Sequence, residues 1–205
     1  MSPVERLVAD ACALGVSLKE DEARRLLELA GELALWNRRY NLTAIAPGAM
    51  VTHHLLDSLS VAPDLAGTRI ADAGTGAGFP GLPLALVNPQ RHFTLIDSTL
   101  KKIRFVEHAV ALLGLANVTA LHARLESYRG APFDTVVARA LAPLPRLVQL
   151  LAPLCGPATR VLAMKGRLPE AEIAALPAPW RVSATRTITV PGLEAARCVL
   201  TLVRG

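Results

Sequence analysis

Apolar residues recur along the chain with two different periods, and the changes of period predict the elements. Ser2-Pro3-Val4-Glu5 reads as a capping box with proline at the first helical position. It opens a helix that runs to about Leu14 and stops at Gly15. Ser17-Leu-Lys-Glu20 reads as a second capping box, opening a long helix. In it Ala23, Leu26, Leu27, Ala30, Leu33 and Ala34 recur at helical spacing, with Glu22, Arg24, Arg25, Glu28 and Glu32 on the other face. A further helix is expected over 48–61. From Thr68 the pattern becomes short apolar runs alternating with helix-length segments. It predicts strand 68–73, helix 79–87, strand 92–96, helix 100–113 and strand 118–121. A turn at Leu125-Glu126 follows, then strand 133–138, helix 144–154, strand 159–164 and helix 169–176. Residues 181–190 and 197–203 flank Pro191-Gly192 and read as a hairpin.

Alternating strands and helices give a parallel sheet covered on both faces, with an antiparallel strand from the terminal hairpin. Ligands of such α/β sheets bind outside the carboxyl ends of the strands. The expected organisation is a helical extension, 1–66, packed on a core unit, 67–205. The 205 residues, 52% hydrophobic, suffice for one ordinary domain. The formal net charge of +5 suits a polyanionic partner, nucleic acid first. Only four of the 22 basic residues are lysine, leaving 18 arginines, the residue suited to bidentate phosphate and guanine contacts. Cys12, Cys155 and Cys198 form no C-x-x-C pair, so neither zinc nor a disulfide framework is expected. They read as buried thiols of a reducing compartment, and a cytoplasmic location is expected. The N-terminus lacks a signal-peptide pattern, and no apolar stretch is long enough to span a membrane.

One stretch carries most of the chemistry: Ile70-Ala-Asp-Ala-Gly-Thr-Gly-Ala-Gly-Phe-Pro-Gly-Leu-Pro83. Strand, glycine turn and helix form the first half of a βαβ nucleotide site, where backbone can approach a ligand closely. Gly74-Thr-Gly-Ala-Gly78 is G-x-G-x-G, tighter than the dinucleotide pattern G-x-G-x-x-G. With Asp72 before it, it looks like motif I of S-adenosylmethionine (AdoMet) methyltransferases. An acid after the next strand should hold ribose hydroxyls, and Asp97 stands 19 residues past Gly78. Elsewhere, Trp36-Asn-Arg-Arg-Tyr-Asn-Leu-Thr-Ala-Ile45 interleaves aromatics with Arg38 and Arg39. Such a stretch can stack on unpaired bases and grip phosphates. Alternatively, Trp36 packs in the core and the asparagines bind a backbone turn. His54 and Asp57, three apart, read as a paired polar cluster where the N-terminal helices meet the sheet.

Several segments together resemble one family. They are residues 36–45, His54-Leu-Leu-Asp-Ser-Leu59, the glycine stretch with its Gly78-Phe-Pro-Gly81 extension, and Leu95-Ile-Asp-Ser98 with Lys101-Lys102. Ala138-Arg-Ala140 and Met164-Lys-Gly166 complete the set. From about Leu26 to the C-terminus the chain resembles the glucose-inhibited division protein B family. These are bacterial AdoMet-dependent methyltransferases acting on guanine N7 of small-subunit ribosomal RNA, in a loop near the decoding site. The resemblance implies a Rossmann-like class I fold: a mostly parallel seven-stranded sheet, a C-terminal hairpin and an N-terminal helical extension. It implies S-adenosyl-L-methionine as cofactor, held by Asp72, Gly74, Gly76, Gly78 and Phe79 around methionine and sulfonium. Asp97, Ser98 and Thr99 would lie at the ribose, and Leu125 and Glu126 at adenine. The family's Arg-Ala-Glu-Glu stands here as Arg124-Leu-Glu-Ser127, which changes the expected shape of that pocket. Arg139 would position substrate and cofactor at the open mouth. Arg38, Arg39, Lys101, Lys102 and Lys165 are candidates for the RNA backbone, with naked RNA or the small ribosomal subunit as partner. A monomer without metal or membrane contact is expected.

Guanine N7 carries a free lone pair, so its methylation needs no general base, and the chain shows no obvious acid–base pair. Competing readings are an AdoMet enzyme acting on protein or a small molecule, and a ribosome-binding protein with a vestigial pocket. A nicotinamide dehydrogenase is disfavoured by the glycine spacing.

Overall fold

The computed structural model describes residues 1–205. Helix α1, Pro3–Ala13, starts on the expected capping box: Ser2 N–H donates to the Glu5 carboxylate at 2.8 Å, and Glu5 N–H donates to Ser2 Oγ at 3.2 Å. It ends before Gly15, at φ +77°. Helix α2, Glu20–Tyr40, begins later than the second capping box predicts. Val16 and Leu18 are buried while Ser17 between them is exposed, so this segment is extended and Ser17 points away from the helix. Glu22 closes the turn instead, accepting from Lys19 N–H at 2.8 Å.

The helix expected over 48–61 is broken into three windings. A 3-10 turn, Pro47–Ala49, leads into a π-helical turn, Val51–Leu56, and a single α turn, α3, Asp57–Leu59. A hydrophobic pattern does not distinguish these windings, because each buries the same side, here Met50, Leu55, Leu56 and Leu59.

The sheet follows the predicted alternation. Its strands are β1 (Arg69–Ala73), β2 (His92–Asp97), β3 (Val118–His122), β4 (Phe133–Arg139), β5 (Cys155–Lys165), β6 (Trp180–Ile188) and β7 (Arg197–Arg204). Helices α4 (Gly81–Leu86), α5 (Leu100–Leu112), α6 (Leu144–Leu151) and α7 (Glu170–Ala174) connect them. Strand β5 starts earlier than expected, because the end of the predicted helix 144–154 becomes a 3-10 turn, Ala152–Leu154. The order is β3-β2-β1-β4-β5-β7-β6. Strands β1 to β5 run parallel, and β7 lies antiparallel between β5 and β6.

Side chains alternate between the faces of the sheet, so neighbours in one strand enter different cores. Val137 joins a core shared with α1, α2 and the π turn, whereas Val136 and Ala138 join one under α6. The first core runs without a break from Leu7 to Val199. The strand order reverses between β1 and β4, the place where a crevice opens at the carboxyl ends of a doubly wound sheet. Gly74 follows one of those strands and Arg139 ends the other.

Candidate functional site

Two hollows meet over this switch point. One, about 510 Å³, lies between the glycine loop and the residues joining α2 to the sheet; its wall includes Thr43, His53, His54, Gly76, Phe79, Met164, Lys165 and Arg197. The other, about 380 Å³, lies over the ends of β2 and β3; Asp97, Ser98, Thr99, Leu125, Glu126 and Leu141 line it. Gly74, Lys102, Arg139 and Ala140 line both, so the hollows form one two-lobed cleft. Its size falls in the range of small-molecule sites.

The glycine loop is shaped from below. Asp72, at the buried end of β1, accepts from Thr75 Oγ1 at 2.6 Å and from Gly81 N–H at 2.7 Å through one oxygen. Its other oxygen is buried with no partner. Burial pushes this carboxyl up to about 6, against the pull of those two hydrogen bonds. Asp72 therefore does not face the cleft, contrary to its expected contact with cofactor, but pins both ends of the loop from beneath. Gly78 is also structural: a Cβ there would sit 2.3 Å from Leu82 Cδ1. Gly74 and Gly76 do face the cleft, at φ +71° and +61°, and a Cβ on Gly76 would meet nothing within 4 Å. At Gly74 and Gly76 the backbone itself is therefore open to a ligand, beside the side chains of Thr75, Ala77 and Phe79.

Asp97 closes the lobe over β2 and β3. One carboxylate oxygen accepts from Thr99 N–H at 2.8 Å, the other from Gly76 N–H at 3.0 Å. Each oxygen keeps a lone pair, enough for two ribose hydroxyls. Lys102 Nζ stands 3.7 Å from Asp97, so this lysine, a candidate for the RNA backbone, lines the cleft. Leu125 is buried and, with Leu141, gives this half an apolar wall; the departure from the family's small residue fills the wall without closing the hollow.

The other half is organised around Arg139. Its guanidinium donates to Asp57 Oδ2 at 2.9 Å and to the His53 carbonyl at 3.0 Å, and its Nη2 lies 3.2 Å from His54 Nδ1. The π winding makes this possible. The Asp57 N–H reaches back to the carbonyls of Thr52 and His54, which leaves the His53 carbonyl free for Arg139. Asp57 Oδ1 takes Arg197 Nε at 2.9 Å, so one buried carboxylate holds two arginines. Burial, then the Arg139 charge, pushes His54 down to about 4, and its ring stacks on Phe79 at 4.6 Å. Ala140, next to Arg139, has φ +50°, a strained backbone of the kind that gathers at functional sites.

The remaining candidates divide. Arg38 and Arg39 are exposed at the end of α2, and Arg39 lies 5.5 Å over the Tyr40 ring. Lys101 is exposed, but its ammonium donates to the Tyr40 carbonyl at 2.8 Å. Lys165 is taken: it donates to Glu172 at 2.8 Å and to the Ala142 carbonyl at 3.0 Å, tying the loop after β4 to α7. Trp36 packs on Phe105, and its ring N–H donates to Glu32 at 3.0 Å. Asn37 binds the turn it precedes, accepting from Leu42 and Thr43 and donating to the Thr43 carbonyl. The packed alternative for this stretch is the one observed. Thr43, Arg197 and Ala140 were not singled out from the sequence. Arg197 merely opens a strand, and nothing marks an alanine for a positive φ.

No group of three His, Cys, Asp or Glu side chains is placed to hold a metal, and no helix is long and apolar enough to cross a membrane. A family model described as rRNA small subunit methyltransferase G matches residues 22–200. The chain is 51% identical over 186 residues to the ribosomal RNA small subunit methyltransferase G of Methylococcus capsulatus, covering 90% of each chain. The protein of the same name from Azoarcus sp. is 44% identical over 203 residues, covering 98% of this chain and 96% of its own. Among solved structures, the magnesium protoporphyrin IX methyltransferase of Synechocystis PCC 6803, with bound SAH, superposes with a TM-score of 0.60 at 19% identity. That match covers 83% of this chain and 92% of the other. A ribosomal protein L11 methylase from Lactobacillus delbrueckii subsp. bulgaricus gives 0.55 at 19% identity, over 73% and 76%. The fold is that of the Rossmann-like AdoMet methyltransferases.

Proposed function

The chain belongs to the GidB family, rRNA small subunit methyltransferase G, and from that premise we propose that it transfers a methyl group from AdoMet to N7 of a loop guanine in small-subunit (16S) ribosomal RNA. The observation that supports the reading is the two-lobed cleft, whose lobes meet at Gly74 and Arg139; the lobe at Asp97 would be the nucleotide half and the lobe at Thr43 and His54 the acceptor half. Asp97, Ser98 and Thr99 would hold the ribose, Leu125 and Glu126 the adenine, and Gly74, Gly76 and Phe79 the methionine and sulfonium. When bound, AdoMet supplies an electrophilic methyl group on a positively charged sulfur.

The chain's residues supply alignment and exclude water. Transfer moves positive charge from sulfur to the purine ring, so a nearby cation gives that step no stabilisation. Arg139 therefore acts by holding an anionic group of cofactor or RNA, and Asp57 offsets part of its charge. Neither Asp57 nor His54 is free to take a proton: the carboxylate holds two arginines, and both ring nitrogens of His54 are engaged. This suits N7, which has no proton to lose. N7 lies on the major-groove edge, which A-form RNA hides, so the target is an exposed loop base. Arg38, Arg39 and Lys101 would meet RNA backbone on the approach. The acceptor is naked RNA or the assembled small subunit, the location cytoplasmic and the enzyme a monomer.

His53 is the one imidazole of the cleft whose ring makes no hydrogen bond within the chain, which makes it the decisive control. Single-turnover transfer to small-subunit RNA should be flat from about pH 6 to 8, and His53→Ala should leave the shape of that profile unchanged. A rate that rises with pH and flattens in His53→Ala would point to an acceptor that loses a proton. Transfer to protein and none to RNA would favour the competing enzyme reading.

A further inference from the structure

Thr43 lies on the wall of the acceptor half, in the turn after α2. Its hydroxyl oxygen receives the Ile45 N–H at 3.1 Å and lies 2.9 Å from His54 Nε2. The sense of the second bond is decided at the far side of the ring. There His54 Nδ1 faces Arg139 Nη2 at 3.2 Å, and a guanidinium can only donate. Nδ1 must therefore be the bare acceptor nitrogen. Nε2 then carries the hydrogen and donates it to Thr43. Both lone pairs of the hydroxyl are now used, and no atom of the chain accepts its hydrogen.

A free hydroxyl serves as donor or acceptor as its partner requires. This one has been reduced to a donor. Burial keeps His54 neutral well below neutral pH, so the arrangement holds over the physiological range. The wall of this lobe includes the apolar Phe79, Leu42 and Ile45, and Arg139.

The hydrogen-bonding group beside a purine's N7 is the substituent at C6. In guanine it is O6, an acceptor; in adenine it is an amino group, a donor. A fixed donor next to the reacting nitrogen accepts the first and meets the second donor to donor. Resting on the guanine-N7 reading above, we infer that the Thr43 hydroxyl donates to O6 of the acceptor base and selects guanine over adenine. His54 and Ile45 are positioning residues that hold it in that role.

The test pairs a deletion on the protein with one on the base. Thr43→Val keeps the shape and removes the hydroxyl; Thr43→Ser keeps the hydroxyl. Small-subunit RNA is prepared by ligation with either guanine or 2-aminopurine, which lacks O6, at the acceptor position. Single-turnover transfer is read as S-adenosylhomocysteine released, and AdoMet affinity is measured for each variant to confirm an intact cofactor site. Thr43→Val should transfer to guanine about tenfold more slowly than wild type, the effect of one lost hydrogen bond. The loss caused by Thr43→Val should be about tenfold greater on guanine than on 2-aminopurine, and Thr43→Ser should restore transfer to guanine. An equal loss on both RNAs would show that Thr43 acts through the fold, and would overturn the assignment. So would an undiminished rate of Thr43→Val on guanine. Failure of the wild type to transfer to guanine RNA would instead remove the N7 reading, and this assignment with it.

Discussion

Asp72 pins the cleft's glycine loop from beneath and makes the stability of the fold depend on pH. Its carboxyl titrates at about 6 because burial opposes the charge, and one oxygen has no partner. The native state therefore keeps the proton between about pH 4 and 6, where the unfolded chain has released it. Stability from this group is greatest below pH 4 and is lost as pH rises through 6. Asp72→Asn can keep both accepted hydrogen bonds and carries no charge. Denaturant unfolding should show it more stable than wild type at pH 7 by on the order of 2–3 kcal/mol, with no gain at pH 4. Equal stability at both pH values would remove the account. At this scale the sequence was readable where chemistry faces a ligand: Gly74, Gly76 and Asp97 line the cleft as their spacing implied. It was not readable for Asp72, Lys102 and Lys165. Spacing reports distance along the chain, and the partners that redirect these side chains come from other elements.

The π-helical turn and β4 form a unit, clasped by the pair Asp57–Arg139, with β7 joined through Arg197. Removing one partner of a buried pair leaves the other uncompensated, a cost of several kcal/mol. The arginine side chains here are 20% and 24% exposed, which lowers it. Asp57→Asn should cost about 3 kcal/mol and lower Tm by roughly 6–12 °C. Asp57 belongs to the extension 1–66 and both arginines to 67–205, and we propose that the two unfold together. Calorimetry should then show one transition that moves as a whole; an endotherm that splits would reveal two units. The strands were legible throughout, since a run of apolar residues between turn signals leaves few alternatives. The break at 48–61 was not, because the carbonyl it frees is matched by Arg139, 86 residues away, which no local pattern reports.

Across the molecule, we propose that the +5 charge and the exposed arginines at the end of α2 guide RNA to the cleft. If Arg38 and Arg39 each displace one counterion from a single-stranded loop, replacing both by alanine should reduce the slope of log K against log salt by about 1.4. An unchanged slope would move the RNA path elsewhere. The fold class was legible from the alternation of strand and helix, and the family from the glycine stretch with Asp97 and the segments around it. How the N-terminal helices complete the cleft was not, because their contribution runs through Thr43 and His54, which are read only once both are seen against Arg139. The central claim is tested most directly by incubating the protein with AdoMet and unmodified small-subunit RNA, naked and as assembled subunits, and mapping the product by mass spectrometry. The expected product is a single new 7-methylguanine in a loop. A methyl group on any other atom, or none on RNA despite AdoMet binding, would contradict it.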